Sequence, residues 1–170
     1  MGILSGSQNK EPMHYGEVFG LWSYAATAKA DYAMVQTLMN HTGDKELKQL
    51  LEETTRGIKQ ELEPVEEILK TNGIALPPAP PERSLANLEE IPVGARVNDP
   101  EISAALSAKI AQSLVACSAI MGQSTREDIA ALFGQYHMNK AQLGAKALRL
   151  NKEKGWLILP PQHTKVPVTS

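Results

Sequence analysis

The sequence has little cysteine, few aromatic residues and almost no excess of either charge. A single cysteine among 170 residues excludes an intramolecular disulfide framework and a zinc site built from several cysteines, and it is typical of a reducing compartment. Only 5 % of the residues are aromatic, fewer than a strand-rich sandwich usually carries. Lys and Arg number 17 against 19 Asp and Glu, so the formal charge of −2 leaves no broad basic face for nucleic acid.

Long hydrophobic runs are also missing. The most apolar stretch, residues 113–122, has about half of the roughly 20 residues that a bilayer-spanning helix needs. The first ten residues carry no Lys or Arg ahead of an apolar run, so no secretory signal is expected. We therefore expect a cytoplasmic protein with no membrane partner.

Catalytic and cofactor motifs are absent as well. The chain contains no Gly-x-Gly-x-x-Gly loop, no P-loop and no Gly-x-Ser-x-Gly nucleophile turn. The sequence consequently predicts no catalytic residue, no cofactor and no enzyme activity.

Four long helical patterns are present instead. Apolar residues recur at three- and four-residue steps over about 11–41, 44–72, 99–122 and 125–154. Asp44 is a good N-cap for the second helix, Asn72-Gly73 a good end, and Asp99-Pro100 a good start for the third. Ser124 and Glu127 have the spacing of a capping box for the fourth helix.

The lengths of the connections predict the topology. The first and second helices, and the third and fourth, are separated by two or three residues, so each pair should form an antiparallel hairpin. Residues 74–98 are rich in proline and long enough to cross the whole bundle. We expect an all-α, ferritin-like four-helix bundle over residues 1–170, two hairpins joined by this crossover, with an extended tail over residues 155–170.

Ferritin-like bundles bind two iron ions through carboxylates and Glu-x-x-His pairs, and this chain lacks that ligand set. Proline stands where a histidine would follow Glu61, and glycine stands where an acid would precede His137. Glu17, Glu61 and His137 are the only weak candidates, so no metal site is predicted. A buried pair between Glu61 and His137 would satisfy both groups.

The remaining polar groups have simpler expected roles. Glu17, next to His14, is expected in an exposed first turn, and the head of Glu61 is expected in water at the edge of its apolar stripe. Cys117 is expected to be a small buried hydrophobe. Basic residues along the fourth helix are expected to form a solvated face: Lys140, Lys146, Arg149, Lys152 and Lys154.

Two further features suggest contacts. Gly16 and Gly20 in the first helix suit close approach of another helix, in the same chain or in a second subunit. The apolar tail Trp156–Pro161 is expected to pack on the bundle, or else to dock on a partner or close a homodimer.

An ordered set of short motifs resembles a known family. The set covers about residues 12–165 and comprises Gly16-Glu17-x-x-x-Leu21-Trp22, Asp44-Lys45-Glu46-Leu47-Lys48, Asn72-Gly73-Ile74-x-Leu76-Pro77, Asn98-Asp99-Pro100-Glu101-Ile102, Arg126-Glu127-Asp128-Ile129 and Lys154-Gly155-Trp156-x-x-x-Pro160-Pro161. Together these motifs resemble the ferritin-like proteins of endospore-forming bacteria related to spore coat protein F, with an uncharacterised sister family. The resemblance implies a bundle associated with the spore coat or with sporulating cells, a lost metal site and no catalysis.

Three hypotheses follow for function. The leading one is a non-enzymatic structural or interaction protein of the spore coat, forming a homodimer and contacting other coat proteins. The alternative is a degenerate ferritin-like metal-binding protein or oxidoreductase that uses Glu61 and His137. A third is a bundle in which a kink at Pro64 opens a cavity for a small ligand.

Overall fold

Four α-helices account for most of the structure, a computed structural model that describes residues 11–163. They are α1 (Tyr15–His41), α2 (Lys45–Thr71), α3 (Asp99–Gln123) and α4 (Glu127–Glu153), with short 3₁₀ turns at Leu88–Glu90 and Val93–Ala95. No strand occurs among the described residues, and the predicted all-α class is confirmed. The first ten residues and residues 164–170, which include the end of the predicted tail, lie outside the described residues.

Local chemistry explains where the helices begin and end. The Asp44 side chain accepts hydrogen bonds from the backbone N–H groups of Glu46 and Leu47 at the start of α2. Asn98, rather than the predicted Asp99, caps α3, and Glu101 completes its capping box. Gly73 follows the C-cap of α2, and its φ of +72° allows the Ile74 N–H to donate back to the Leu69 carbonyl at 2.9 Å.

The helices pack as two antiparallel hairpins. α1 contacts α2 and α3, and α4 contacts α3 and α2. The Thr42 hydroxyl, after α1, donates to the Asp99 carboxylate of α3 at 2.6 Å, so α1 and α3 run antiparallel. Lys154, after α4, binds Asp44, before α2, at 2.8 Å, so α2 and α4 are antiparallel too. This is the predicted ferritin-like arrangement.

The connection between α2 and α3 lies along the outer side of α1. The Trp22 indole N–H donates to the Ala75 carbonyl at 3.0 Å, and the Lys29 ammonium donates to the Pro77 carbonyl at 2.6 Å. Further along α1, Asn40 both donates to Ser84 and accepts from Ala86. Because most of this connection lies outside regular secondary structure, side chains of α1 satisfy several of its backbone groups.

Glycines let α3 lie close to both neighbouring helices. A Cβ atom at Gly20 of α1 would come within 3.3 Å of the Ile120 side chain of α3. On α4, a Cβ atom at Gly134 or Gly144 would meet Met121 or Ile110 of α3 at the same distance. The close approach predicted at Gly20 is therefore made within this chain, and the glycines offset their helix-propensity cost by allowing tight packing.

Glu17 joins the start of α1 to the turn between α3 and α4. Contrary to the exposed position expected for it, the residue is only 2 % exposed. Its Oε1 accepts hydrogen bonds from the backbone N–H groups of Thr125 at 2.8 Å and Arg126 at 2.9 Å, and its Oε2 accepts from the His14 N–H at 3.1 Å. The capping box predicted between Ser124 and Glu127 does not form, because Arg126 is the N-cap and Glu17 accepts the backbone donors there.

These hydrogen bonds determine how Glu17 titrates. Burial alone raises the pKa of a carboxyl, but the backbone donors of Arg126, His14 and Thr125 outweigh it and lower the pKa of Glu17 below its usual 4.5. A carboxyl with a lowered pKa in the folded state stabilises the fold above its unfolded pKa. That stabilisation is lost as the pH falls through the folded-state pKa.

We predict that Glu17→Gln lowers the free energy of unfolding at pH 7 by about 1–3 kcal/mol, because hydrogen bonds to a charged acceptor become neutral ones. Urea unfolding at pH 7 and below pH 4.5 measures the effect, and the difference between variant and wild type should shrink at the lower pH. Glu101→Gln is the matched control, since Glu101 is exposed and caps only its own helix. Equal losses in the two variants would contradict the prediction.

Candidate functional site

Glu61 of α2 lies at the centre of the bundle, 4 % exposed, and not at the water-exposed edge expected for it. Its Oε2 accepts a hydrogen bond from the Tyr24 hydroxyl of α1 at 2.8 Å and forms an ion pair with the Lys140 ammonium of α4. The Tyr136 hydroxyl of α4 donates to the Glu61 backbone carbonyl at 2.8 Å. Three helices therefore meet at a single residue through polar contacts.

Lys140 replaces the partner that the sequence suggested for Glu61. The pair that the sequence allowed between Glu61 and His137 does not form: the hydrogen-bonded partners of the Glu61 carboxylate are Tyr24 and Lys140, and His137 is half-buried elsewhere on α4. Lys140 is 8 % exposed, so it does not belong to the solvated basic face in which it was grouped. The sequence did contain a signal that Lys140 is buried: it lies four residues after Tyr136 and three before Leu143, on the apolar stripe of α4.

The surroundings of the ion pair keep two nearby tyrosine hydroxyls and a cysteine thiol protonated. Burial raises the pKa of Tyr24 far above its usual value, and the negative charge of Glu61 adds to that effect. The pKa of Tyr136 is raised for the same two reasons. Burial and the charge of Glu61 also raise the pKa of Cys117 to about 11, which makes this buried thiol a poor nucleophile, as expected.

The residues at the bundle centre do not suit a divalent metal ion. An ammonium group already occupies the cationic position beside Glu61, and it would repel a metal ion there. Glu17, another candidate, accepts backbone hydrogen bonds at the end of the bundle instead. No group of three or more His, Cys, Asp and Glu residues within residues 11–163 is arranged to hold a metal ion.

A cavity of about 470 Å³ opens between α1 and α3 and reaches the centre of the bundle. Small side chains face each other across it, with Ser23 and Thr27 on α1 and Ser113 and Ala116 on α3. Its inner wall includes Lys140. Pro64 does not line this cavity, so this is not the cavity that was expected at a Pro64 kink.

The outer face of α3 is apolar and exposed. The segment Val93–Gln123 is long and apolar enough to cross a membrane by length and composition, yet only 22 % of its most apolar window is buried. The apolar stretch is thus longer than residues 113–122 suggested. From Ala104 to Gln123 the exposed positions of α3 carry no charge, and Val115, 70 % exposed, lies among small residues: Ala104, Ala108, Ala111 and Gly122.

The tail after α4 is divided between the bundle and solvent. Gly155, with φ of +70°, ends α4, and Trp156 then packs against the buried cluster that contains Leu47 and Leu150. Ile158 is 91 % exposed and Leu159 is 61 % exposed. Packing on the bundle is therefore confirmed for Trp156, whereas Ile158 and Leu159 are exposed to solvent among the described residues.

Comparison with known proteins places the chain in a family. Residues 1–166 match the model of a family described as "Protein of unknown function (DUF3231)". The chain belongs to this family. It is 56 % identical over 163 residues to "Uncharacterized protein YvdQ" of Bacillus subtilis, with 96 % of each chain covered.

Two solved structures resemble this member of the DUF3231 family, one with high sequence identity and one with low identity. A crystal structure named "putative spore coat protein", from Bacillus halodurans, is 53 % identical, covers 91 % of this chain and 98 % of its own, and has a TM-score of 0.90. A two-domain protein of Anabaena variabilis with a ferritin-like domain has a TM-score of 0.64 at 16 % identity, with 89 % of this chain and 41 % of that chain covered. The second likeness shows the ferritin-like fold alone.

We predict that Lys140→Met lowers the free energy of unfolding by about 3–5 kcal/mol, because it leaves Glu61 as a buried charge without a cation. The double variant Glu61→Gln with Lys140→Met should recover most of that loss, since no charge remains buried. Chemical denaturation of the wild type, both single variants and the double variant measures the coupling.

Lys146→Met is the matched control for this prediction. Lys146 forms an exposed ion pair with Glu53, between the same two helices, and its loss should cost less than about 1 kcal/mol. A double variant as unstable as Lys140→Met alone would show that the charge pair is not the source of the effect.

Proposed function

We propose that this protein is a non-catalytic structural component of the spore coat, made in the cytoplasm of the sporulating cell and acting through its surfaces. The observation that carries the proposal is the uncharged outer face of α3, which the bundle leaves exposed. The 53 % identity to the Bacillus halodurans protein supports the spore coat as the place of action. The ion pair at the bundle centre supports a role without metal chemistry.

Homodimer formation through α3 is the first part of this function. Apolar surface that is left in water is stabilised by association, and small side chains let two helices approach closely. Between Ile102 and Gln123 the only charged residue is Lys109, which binds Asp31 of α1 at 2.8 Å and so does not oppose a second copy of the helix. A two-fold pair of α3 helices would bury the Ala108 and Val115 faces of both copies.

The exposed tail supplies a second contact. Ile158 and Leu159 extend from the anchored Trp156 and are followed by two prolines, which favour an extended backbone. An extended apolar segment suits a shallow groove on another protein. We expect this segment to contact other coat proteins, separately from the dimer face.

We predict that Ala108→Glu converts the dimer to a monomer, because it places one carboxylate from each copy in an apolar interface. Light scattering after size-exclusion chromatography measures the mass over a range of concentrations. Ala141→Glu on the exposed side of α4 is the matched control and should leave the mass unchanged. A wild-type protein that stays monomeric at high concentration would contradict the dimer.

We predict that a fluorescent fusion moves to the spore periphery in sporulating Bacillus subtilis that lacks YvdQ. The variant Ile158→Ser with Leu159→Ser should fold normally and reach the periphery more weakly, because the tail contact is lost. Leu85→Ser with Val93→Ser, two exposed apolar residues in the α2–α3 connection, is the control. A diffuse signal of the wild-type fusion in vegetative cells would contradict the coat assignment.

A further inference from the structure

We propose that the cavity between α1 and α3 is a binding site for a long-chain carboxylate, with the acid group at Lys140 and the alkyl chain along the two helices. Ala104, Ala108, Ala111, Val115 and Gly122 of the outer face do not line the cavity, whereas the exposed Gln112, Ala119 and Gln123 on the neighbouring side of α3 do. The size of the cavity, about 470 Å³, lies within the range of small-molecule sites.

The cavity follows from the side chains at the α1–α3 contact. α1 and α3 approach closely at Gly20 and Ile120, and the Asp31–Lys109 ion pair joins them again further along at 2.8 Å. Between these contacts the facing residues, such as Ser23 and Ala116, are too small to fill the space between two helices. The space therefore extends inwards to Ile58 of α2 and Lys140 of α4.

The shape of the cavity suits a flexible chain. The lining residues of α1 extend from Gly16 to Leu38, which corresponds to about 33 Å of helix at 1.5 Å per residue. From the level of Tyr24, beside the buried ion pair, to Leu38 the helix rises about 21 Å. A compact ring system would leave most of this length empty, whereas an alkyl chain would follow it and contact Val35, Leu106 and Ile110.

Charge identifies the head group. Three ionisable residues other than Tyr24 line the cavity: Asp31, Lys109 and Lys140. Asp31 and Lys109 neutralise each other at 2.8 Å. Lys140 has three N–H donors, and Glu61 is its hydrogen-bond partner within residues 11–163. Lys140 lines the cavity and its ion-pair partner Glu61 does not, so a carboxylate bound in the cavity would accept the N–H donors that the ion pair leaves over.

Dodecanoate, kept below its critical micelle concentration, is the probe for this site. Isothermal titration should give saturable binding at one site per chain. Affinity should rise about three- to fourfold for each methylene from octanoate to dodecanoate. Dodecanol should bind at least tenfold more weakly and dodecylamine more weakly still, because neither offers an anion to Lys140.

Two variants test the position of the ligand. Ala116→Leu fills the cavity and should weaken dodecanoate binding at least tenfold, whereas Ala141→Leu, on the exposed side of α4, should not change it. The double variant Glu61→Gln with Lys140→Met should bind dodecanoate and dodecanol alike. Circular dichroism and urea unfolding establish that each variant is folded, and Ala116→Leu suffices if the double variant does not fold.

Three results would overturn the proposal. One is the absence of saturable dodecanoate binding, as expected if a second copy of the chain covers the cavity. Another is equal affinity in the wild type and Ala116→Leu. The third is dodecylamine binding as tightly as dodecanoate, which would show that the ammonium of Lys140 does not select the head group.

Discussion

The ion pair between Glu61 and Lys140 constrains the centre of this bundle. A carboxylate and an ammonium group that are almost fully removed from water must stay together, because separating them would leave two buried charges without compensation. That requirement sets the position of α4 against α2. The hydroxyl groups of Tyr24 and Tyr136 add hydrogen bonds to the same residue and bring α1 into the arrangement. Most of the other buried side chains are apolar and pack around this point.

In a bundle of this shape, the same position could serve a metal ion, and here the cation belongs to the protein itself. An ammonium group on α4 balances the carboxylate on α2 without needing further carboxylates from other helices. The features proposed to act on other molecules are the outer face of α3, the tail, and the cavity that reaches Lys140 from the surface.

Much of the fold could be predicted from the sequence, because helix periodicity and end signals are local. Asp44 and Gly73 mark the ends of α2 through hydrogen bonds within a few residues. The roles of Glu17 and Lys140 were missed because they depend on partners more than 70 residues away. Lys140 was predicted to lie on the solvated basic face because of its charge, although its position on the apolar stripe of α4 indicated burial.

The α2–α3 connection covers one side of the bundle, at α1, and leaves another side, at α3, exposed. Its hydrogen bonds to Trp22, Lys29 and Asn40 cover the outer side of α1 with the protein's own backbone. The apolar face of α3 is left open on another side of the bundle. In the proposed two-fold dimer, the α3 face of both copies would be buried, so assembly through that face would stop at a closed pair. Such a pair would expose two tails, and its valency towards other components would be two, as a cross-linking unit in a layered assembly requires.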